Sequence, residues 1–131
     1  MDNKALFKIS YGLFVLSARD GEKDNGCIIN TFSQVTSNPL RGSIAINKLN
    51  LTCEMIQKSK KFSVSVLDTS APFDLFKRFG FQSGKNADKF EGLSGTVRGE
   101  NGILHLTEHV NAVFSGTVVQ EIDLGTHVMF I

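Results

Sequence analysis

Tryptophan is absent from this chain of 131 residues, tyrosine occurs once, and proline and cysteine occur twice each. Cys27 and Cys53 sit in unrelated contexts without CxxC spacing. Two such residues cannot build a disulfide framework or, alone, a tetrahedral metal site, so the expectation is reduced thiols in a cytoplasmic protein. Charge of one sign is also missing: 14 Lys and Arg against 13 Asp and Glu leave a formal +1, which gives no electrostatic case for nucleic acid or an anionic membrane. No apolar run approaches the roughly 18–20 residues that a membrane-spanning helix needs. Met1-Asp2-Asn3-Lys4 lacks the basic-then-apolar layout of a signal peptide. Gly-x-Ser-x-Gly, a P-loop and Gly-x-Gly-x-x-Gly are all missing, so hydrolase, kinase and Rossmann readings have nothing to stand on.

What is present is a globular composition, 41% hydrophobic and 21% charged, of a length that fits one domain, residues 1–131, with one moderate core. A short helix is expected over residues 5–9, capped by Asn3 with Leu6 and Ile9 inward. Residues 13–18 form a dense apolar strand, joined through a polar turn at residues 20–26 to a second strand over residues 27–36. Residues 42–47 make a third strand. Residues 51–60 read as a helix, with Leu51, Met55 and Ser59 at i, i+4, i+8. Phe62-Ser63-Val64-Ser65-Val66 alternates strictly, as a half-buried strand does. Ser70 is placed to cap a helix with Pro72 in its first turn and Phe73, Phe76 and Phe79 on one stripe. Residues 80–92 form a loop, and residues 103–107, 111–120 and 126–131 form strands. Six or seven mostly antiparallel strands with two or three short helices predict a mainly β fold, a small antiparallel barrel, over an alternating βαβ arrangement. Of eleven Phe residues, Phe73, Phe76, Phe79, Phe81 and Phe90 crowd one short region, which points to a buried interface. The chain stops at Val128-Met129-Phe130-Ile131 inside an apolar strand, and the expectation is a domain truncated at its C-terminal end.

Two segments carry polar groups where packing alone would not ask for them. Asn30-Thr31-Phe32 interrupts an apolar strand and could hold the edge of a ring system; the alternative is an edge strand or bulge exposing Asn and Thr to water. Asn47-Lys48-Leu49-Asn50-Leu51-Thr52 closes a strand as a helix begins. Helix N-termini carry unpaired N–H groups and partial positive charge, and Lys48 adds a full charge, so the segment suits a phosphate. An ordinary capped helix with a solvated lysine is the alternative. Polar atoms inserted in one strand, with a cation and hydroxyls at the end of the next, together suggest a flavin. His127, at the mouth of the last strand, is either a packed structural histidine or a group facing the site. His105 and His109 stand at i, i+4, but in strand and turn surroundings without a third ligand, so no metal site is expected.

The order Gly-x-x-x-Asn-Thr-Phe-x-x-Val-Thr-x-x-Pro, then Ile-Ala-Ile-Asn-Lys-x-Asn-x-Thr, then Phe-Ser-Val-Ser-Val-Leu and finally Gly-Thr-His resembles the flavin reductase-like family across essentially the whole chain. Phe-Lys-x-Phe-Gly-Phe-Gln-Ser-Gly and Asp-Lys-Phe place it nearest the branch found in flavoredoxins and the flavin domain of high-molecular-weight rubredoxins. The resemblance implies an FMN-binding split barrel, usually a homodimer, passing electrons from NADH or NADPH through flavin to an acceptor such as free flavin or a rubredoxin- or flavodiiron-type protein. It puts Asn30, Thr31 and Phe32 along the isoalloxazine and ribityl part of FMN, and Asn47, Lys48, Asn50 and Thr52 at the phosphate. It puts His127 near flavin and nicotinamide, and Phe90 near the pocket mouth. The sequence departs from the family at Thr126, where an acidic residue is common, and at Leu40, which replaces a second proline. Beside an FMN oxidoreductase stand two other readings: an electron-carrier module without its own NAD(P)H activity, and a β-barrel binding domain without flavin.

Overall fold

The computed structural model describes residues 3–131; Met1 and Asp2, half of the stretch read above for a leader, lie outside them. Strand β1 (Phe14–Asp20) buries Phe14, Leu16 and Ala18 on one face and Val15 and Ser17 on the other. A strand covered on both sides belongs in the middle of a sheet. It pairs with β2 (Lys23–Ile29) and β5 (Lys61–Leu67), and β8 (Val110–Thr117) completes the antiparallel order β2-β1-β5-β8. A second sheet is built from β3 (Ser33–Ser37), β4 (Leu40–Asn47), β10 (His127–Phe130) and β9 (Glu121–Asp123), in the order β3-β4-β10-β9. Strands β6 (Thr96–Arg98) and β7 (Leu104–Leu106) form a separate hairpin.

The sheets meet over a core that includes Leu16, Cys27, Ile44, Met55, Val64 and Phe130. Residues 30–32 carry the chain from one sheet to the other, and residues 118–120 do so at the far end, where the Val118 N–H donates to Lys60 O and the Ile131 N–H to Gln120 O. The result is a mainly β, antiparallel split barrel with three helical segments among the described residues. Helix α1 (Leu51–Ser59) starts at Asn50, whose side chain accepts the Thr52 N–H at 3.0 Å. It ends at Lys60, held at φ 60°, whose N–H returns to Ile56 O. Cys53, Met55 and Ile56 are its contribution to the core. Helix α2 (Phe73–Gly80) covers the other face of the first sheet, where Leu75 and Phe79 join Val15 and Leu106. Lys89 fastens the following loop: only 3% exposed, its ammonium donates to Gly26 O at 2.8 Å and Phe79 O at 3.0 Å.

Several expectations need correction. The N-terminal segment is a 3₁₀ helix over Asn3–Lys8 with no buried residue, and Leu6 and Ile9 are exposed; α1 and α2 already cover the sheet faces such residues would need. The polar turn contracts to Gly21 and Glu22, because Asp20 and Lys23 pair directly across a two-residue hairpin. The strand expected over residues 27–36 is two strands in different sheets, broken at residues 30–32. Ser70 does not cap α2, whose N-cap is Pro72 without a side-chain bond; the Ser70 hydroxyl is engaged by Asp68 and His109. The buried stripe of α2 is Leu75 and Phe79, an i, i+4 pair, while Phe73 is exposed. Strands β6 and β9, three residues each, were not anticipated; so short a strand carries no periodicity to read.

Cys27 and Cys53 are free and buried, and burial pushes both thiols up. In the unfolded chain they lose protons first, so the native state holds more protons and stability falls as pH rises past about 8.5. The slope reaches at most about 1.4 kcal/mol per pH unit for each thiol. Burial lowers the Lys89 ammonium, which acts with the opposite sign, so the comparison is between parent and Cys27→Ala/Cys53→Ala. Urea titrations at pH 7–9.5 should show the stability difference shrinking in the variant's favour. Parallel curves would refute the assignment.

Candidate functional site

In β4, Ile44 and Ile46 turn into the core, and in β10 Val128 and Phe130 do the same. Strand alternation therefore puts Ala45, Asn47, His127 and Met129 on the outer face of the second sheet. The register pairs His127 with Asn47 and Met129 with Ala45, and Lys48 N–H extends the ladder to Thr126 O at 3.0 Å. Thr31 joins this face through its hydroxyl, which donates to Ala45 O at 2.8 Å and accepts Ala45 N–H at 3.3 Å. Its side chain thus replaces a backbone rung where the chain changes sheets. Asn30 beside it is exposed.

The polar groups here are partly committed. Asn47 Oδ1 accepts the Leu49 N–H at 2.9 Å, leaving its amide N–H groups. His127 Nδ1 is 2.8 Å from the Thr126 hydroxyl, and Nε2 has no hydrogen-bond partner among the described residues. Thr126, the departure noted above, therefore orients the histidine through a hydroxyl. Lys48 Nζ lies 2.7 Å from Asp123 Oδ1. That ammonium, with the Gly125 N–H, holds the Asp123 carboxyl below the usual carboxylate range. At the start of α1, Lys85 reaches Glu54 of the first turn at 3.6 Å. Two cations, Lys48 and Lys85, thus flank this helix N-terminus, each with a carboxylate partner that an incoming anion would have to displace. The loop over residues 80–92 is expected from the sequence, but Lys85 is not singled out there; its contact spans 31 positions and leaves no local pattern.

Thr31, Asn47 and His127 come together on this face; Lys48, the next residue, reaches round the edge to Asp123, which pairs with the inward-facing Val128, and Asn50 stands at the helix start. Thr52 needs correcting: it is wholly buried and its hydroxyl accepts a hydrogen bond from Asn25 Nδ2 at 2.9 Å, so its side chain is withdrawn from any surface anion. Phe32 turns into the seam between the sheets, edge-on to Phe14 and stacked on Phe114, both at 5.5 Å. It lines an apolar cavity of about 470 Å³ with Leu40, Phe62, Phe114 and Val119. Phe90 is not brought to this face. It packs at 5.1 Å from Phe79 beneath α2, on the opposite side of the first sheet. A second cavity, about 520 Å³, opens there between α2 and the turn at Glu108 and His109. His105 and His109 bond to Leu106 O and to Ser70, and no group of three potential metal ligands clusters among the described residues. No helix among them is long and apolar enough to cross a membrane.

The donor set fits a flavin's needs: amide and hydroxyl groups along one strand switch, and a cation beside a helix N-terminus for a phosphate. Comparison with known proteins agrees. The chain is 41% identical over 131 residues to the high molecular weight rubredoxin of Moorella thermoacetica, of which it spans 57%. It is 37% identical over the same length to the ferric-chelate reductase (NAD(P)H) of Archaeoglobus fulgidus, spanning 77% of that protein. Among solved structures, flavoredoxin from Methanosarcina acetivorans superposes with a TM-score of 0.81 at 23% identity, over 92% of this chain and 63% of its own. The profile described as flavin reductase like domain matches residues 6–131, and with barrel, strand switch and helix start all in place, the chain belongs to the flavin reductase-like family.

Proposed function

We propose that the chain is an FMN-dependent oxidoreductase that takes electrons from NADH or NADPH and hands them to an acceptor such as free flavin or a rubredoxin- or flavodiiron-type protein. The observation that carries this reading is the cross-strand pairing of His127 with Asn47, one residue from Lys48. It sets the histidine one rung along the ladder from Lys48 and the helix start that suit a phosphate, on a face that also holds Thr31. Bound FMN would supply the hydride- and electron-accepting chemistry. The protein's part is to hold and orient. Lys48 and the Asn50-capped start of α1 take the phosphate, and Asn30 and Thr31 flank the ring and ribityl end. Phe32 supports them from the seam. His127, steered by Thr126, offers Nε2 to the nicotinamide. Exposed Leu40, Leu49, Phe73 and Phe81 support a homodimer that covers apolar surface a monomer leaves bare.

The purified protein should bind FMN, turn yellow and bleach anaerobically with NADH or NADPH. His127→Ala should keep its FMN while turnover falls by about 100-fold, the scale on which misplaced reactants lose rate. Equal turnover per bound flavin would make His127 structural. Bound FMN that never bleaches would replace the enzyme by the electron-carrier reading, and a protein that takes up no flavin would end both.

A further inference from the structure

Asn25 holds a place in β2 that an apolar residue would ordinarily fill. It lies opposite Ala18, on the core face it shares with Cys27, and is 1% exposed. Its Nδ2 donates to Thr52 Oγ1 at 2.9 Å, while its Oδ1 has no hydrogen-bond partner among the described residues. A buried amide with only half its capacity used is costly, so its neighbours matter. On one side is the first turn of α1, reached through Thr52. On the other is Gly84: a Cβ there would stand 2.3 Å from Asn25 Oδ1 and 2.6 Å from its Cγ and Nδ2, so only glycine fits. The loop around Gly84 has two further ties, Lys23 Nζ to Gly84 O at 3.0 Å and Lys85 to Glu54 at 3.6 Å. Asn25 is thus the buried spacer between two segments remote from it in sequence, the helix start and residues 83–85.

We propose that Asn25, with Gly84 as its seat, is a positioning residue that fixes residues 83–85 beside the first turn of α1, so that the Ser83 hydroxyl and the Lys85 ammonium form a second wall for the flavin phosphate. The proposal rests on the phosphate reading given above. Ser83 and Lys85 follow each other in a tight turn, the Lys85 N–H donating to Ser83 Oγ at 3.2 Å. One contact therefore places both groups. Asn25 itself need not touch the ligand.

The test measures affinities for FMN and for riboflavin, which lacks the phosphate, in the parent, Asn25→Ala, Gly84→Ala and the double variant. Asn25→Ala should weaken FMN about tenfold, the scale of one lost charge-assisted contact, and leave riboflavin unchanged. Gly84→Ala should do the same, because its methyl meets the amide. The double variant should recover part of the Gly84→Ala loss, since the group the methyl strikes is gone. Lys85→Ala, on a half-exposed side chain, keeps the question decidable if the buried variants fail to fold, and should weaken FMN alone. Equal losses for FMN and riboflavin, or an unchanged FMN affinity in Lys85→Ala, would overturn the proposal. A parent that binds riboflavin as tightly as FMN would instead remove the phosphate reading, and the proposal with it.

Discussion

Phe79→Ala should lower the unfolding free energy by about 3–5 kcal/mol, the range for truncating a fully buried aromatic side chain. Phe79 is 1% exposed, packs edge-on against Phe90 at 5.1 Å, and sits so close to Gly26 that a Cβ there would be 3.2 Å from the ring. Leu75 is the other buried residue of α2, so the variant loses one of the two buried side chains that anchor this helix to the first sheet. The Phe79 carbonyl also accepts from the buried Lys89, which couples a shift of the helix to the loop that follows. Phe73→Ala provides the contrast. It removes an aromatic from the same helix, but one 61% exposed, and should change the stability of the isolated fold by no more than about 0.5 kcal/mol. Urea unfolding of both variants at one protein concentration decides the matter; losses of equal size would mean that the buried face of α2 has been misassigned.

Lys48→Ala should weaken FMN binding by roughly 1.5–3 kcal/mol, the worth of a hydrogen bond between an ammonium and a phosphate, and leave riboflavin binding nearly unchanged. The present partner of Lys48 supplies a companion test of opposite sign. Asp123 holds the ammonium at 2.7 Å, so phosphate must compete with a carboxylate already in place. Asp123→Asn removes that competitor and should tighten FMN binding, again without effect on riboflavin. Both effects should shrink as salt is added, because solvent reaches both partners, Lys48 being 40% and Asp123 71% exposed. Flavin titrations followed by fluorescence quenching give all the affinities. A Lys48→Ala protein with parental FMN affinity would take this lysine out of the phosphate site.

The chain's own local physics determined a good deal. The alternation from Phe62 to Val66 marks a strand in any context, and β5 runs over Lys61–Leu67. Asn50 before an apolar-periodic segment marks a helix start, and its side chain does cap α1. Family membership was legible because it rests on the order and spacing of motifs, a property of sequence. What depends on partners far along the chain was not legible. The apolar run from Cys27 to Thr36 reads as one strand, yet it divides because β3 finds its partner in β4 while β2 is held by β1, and Thr31 spans the gap by bonding to Ala45. The phenylalanine stripe of α2 has helical spacing, but which face turns down is set by the surface it meets, Gly26 and Ile28 of β2. Thr52 sits where a phosphate-binding hydroxyl would be expected, and only the fold shows that Asn25, 27 positions earlier, has claimed it. Hydrophobic periodicity and capping are interactions among neighbours and are written in the sequence; pairing partners, buried faces and the hydrogen bonds that withdraw or present a polar group are fixed only when distant segments meet.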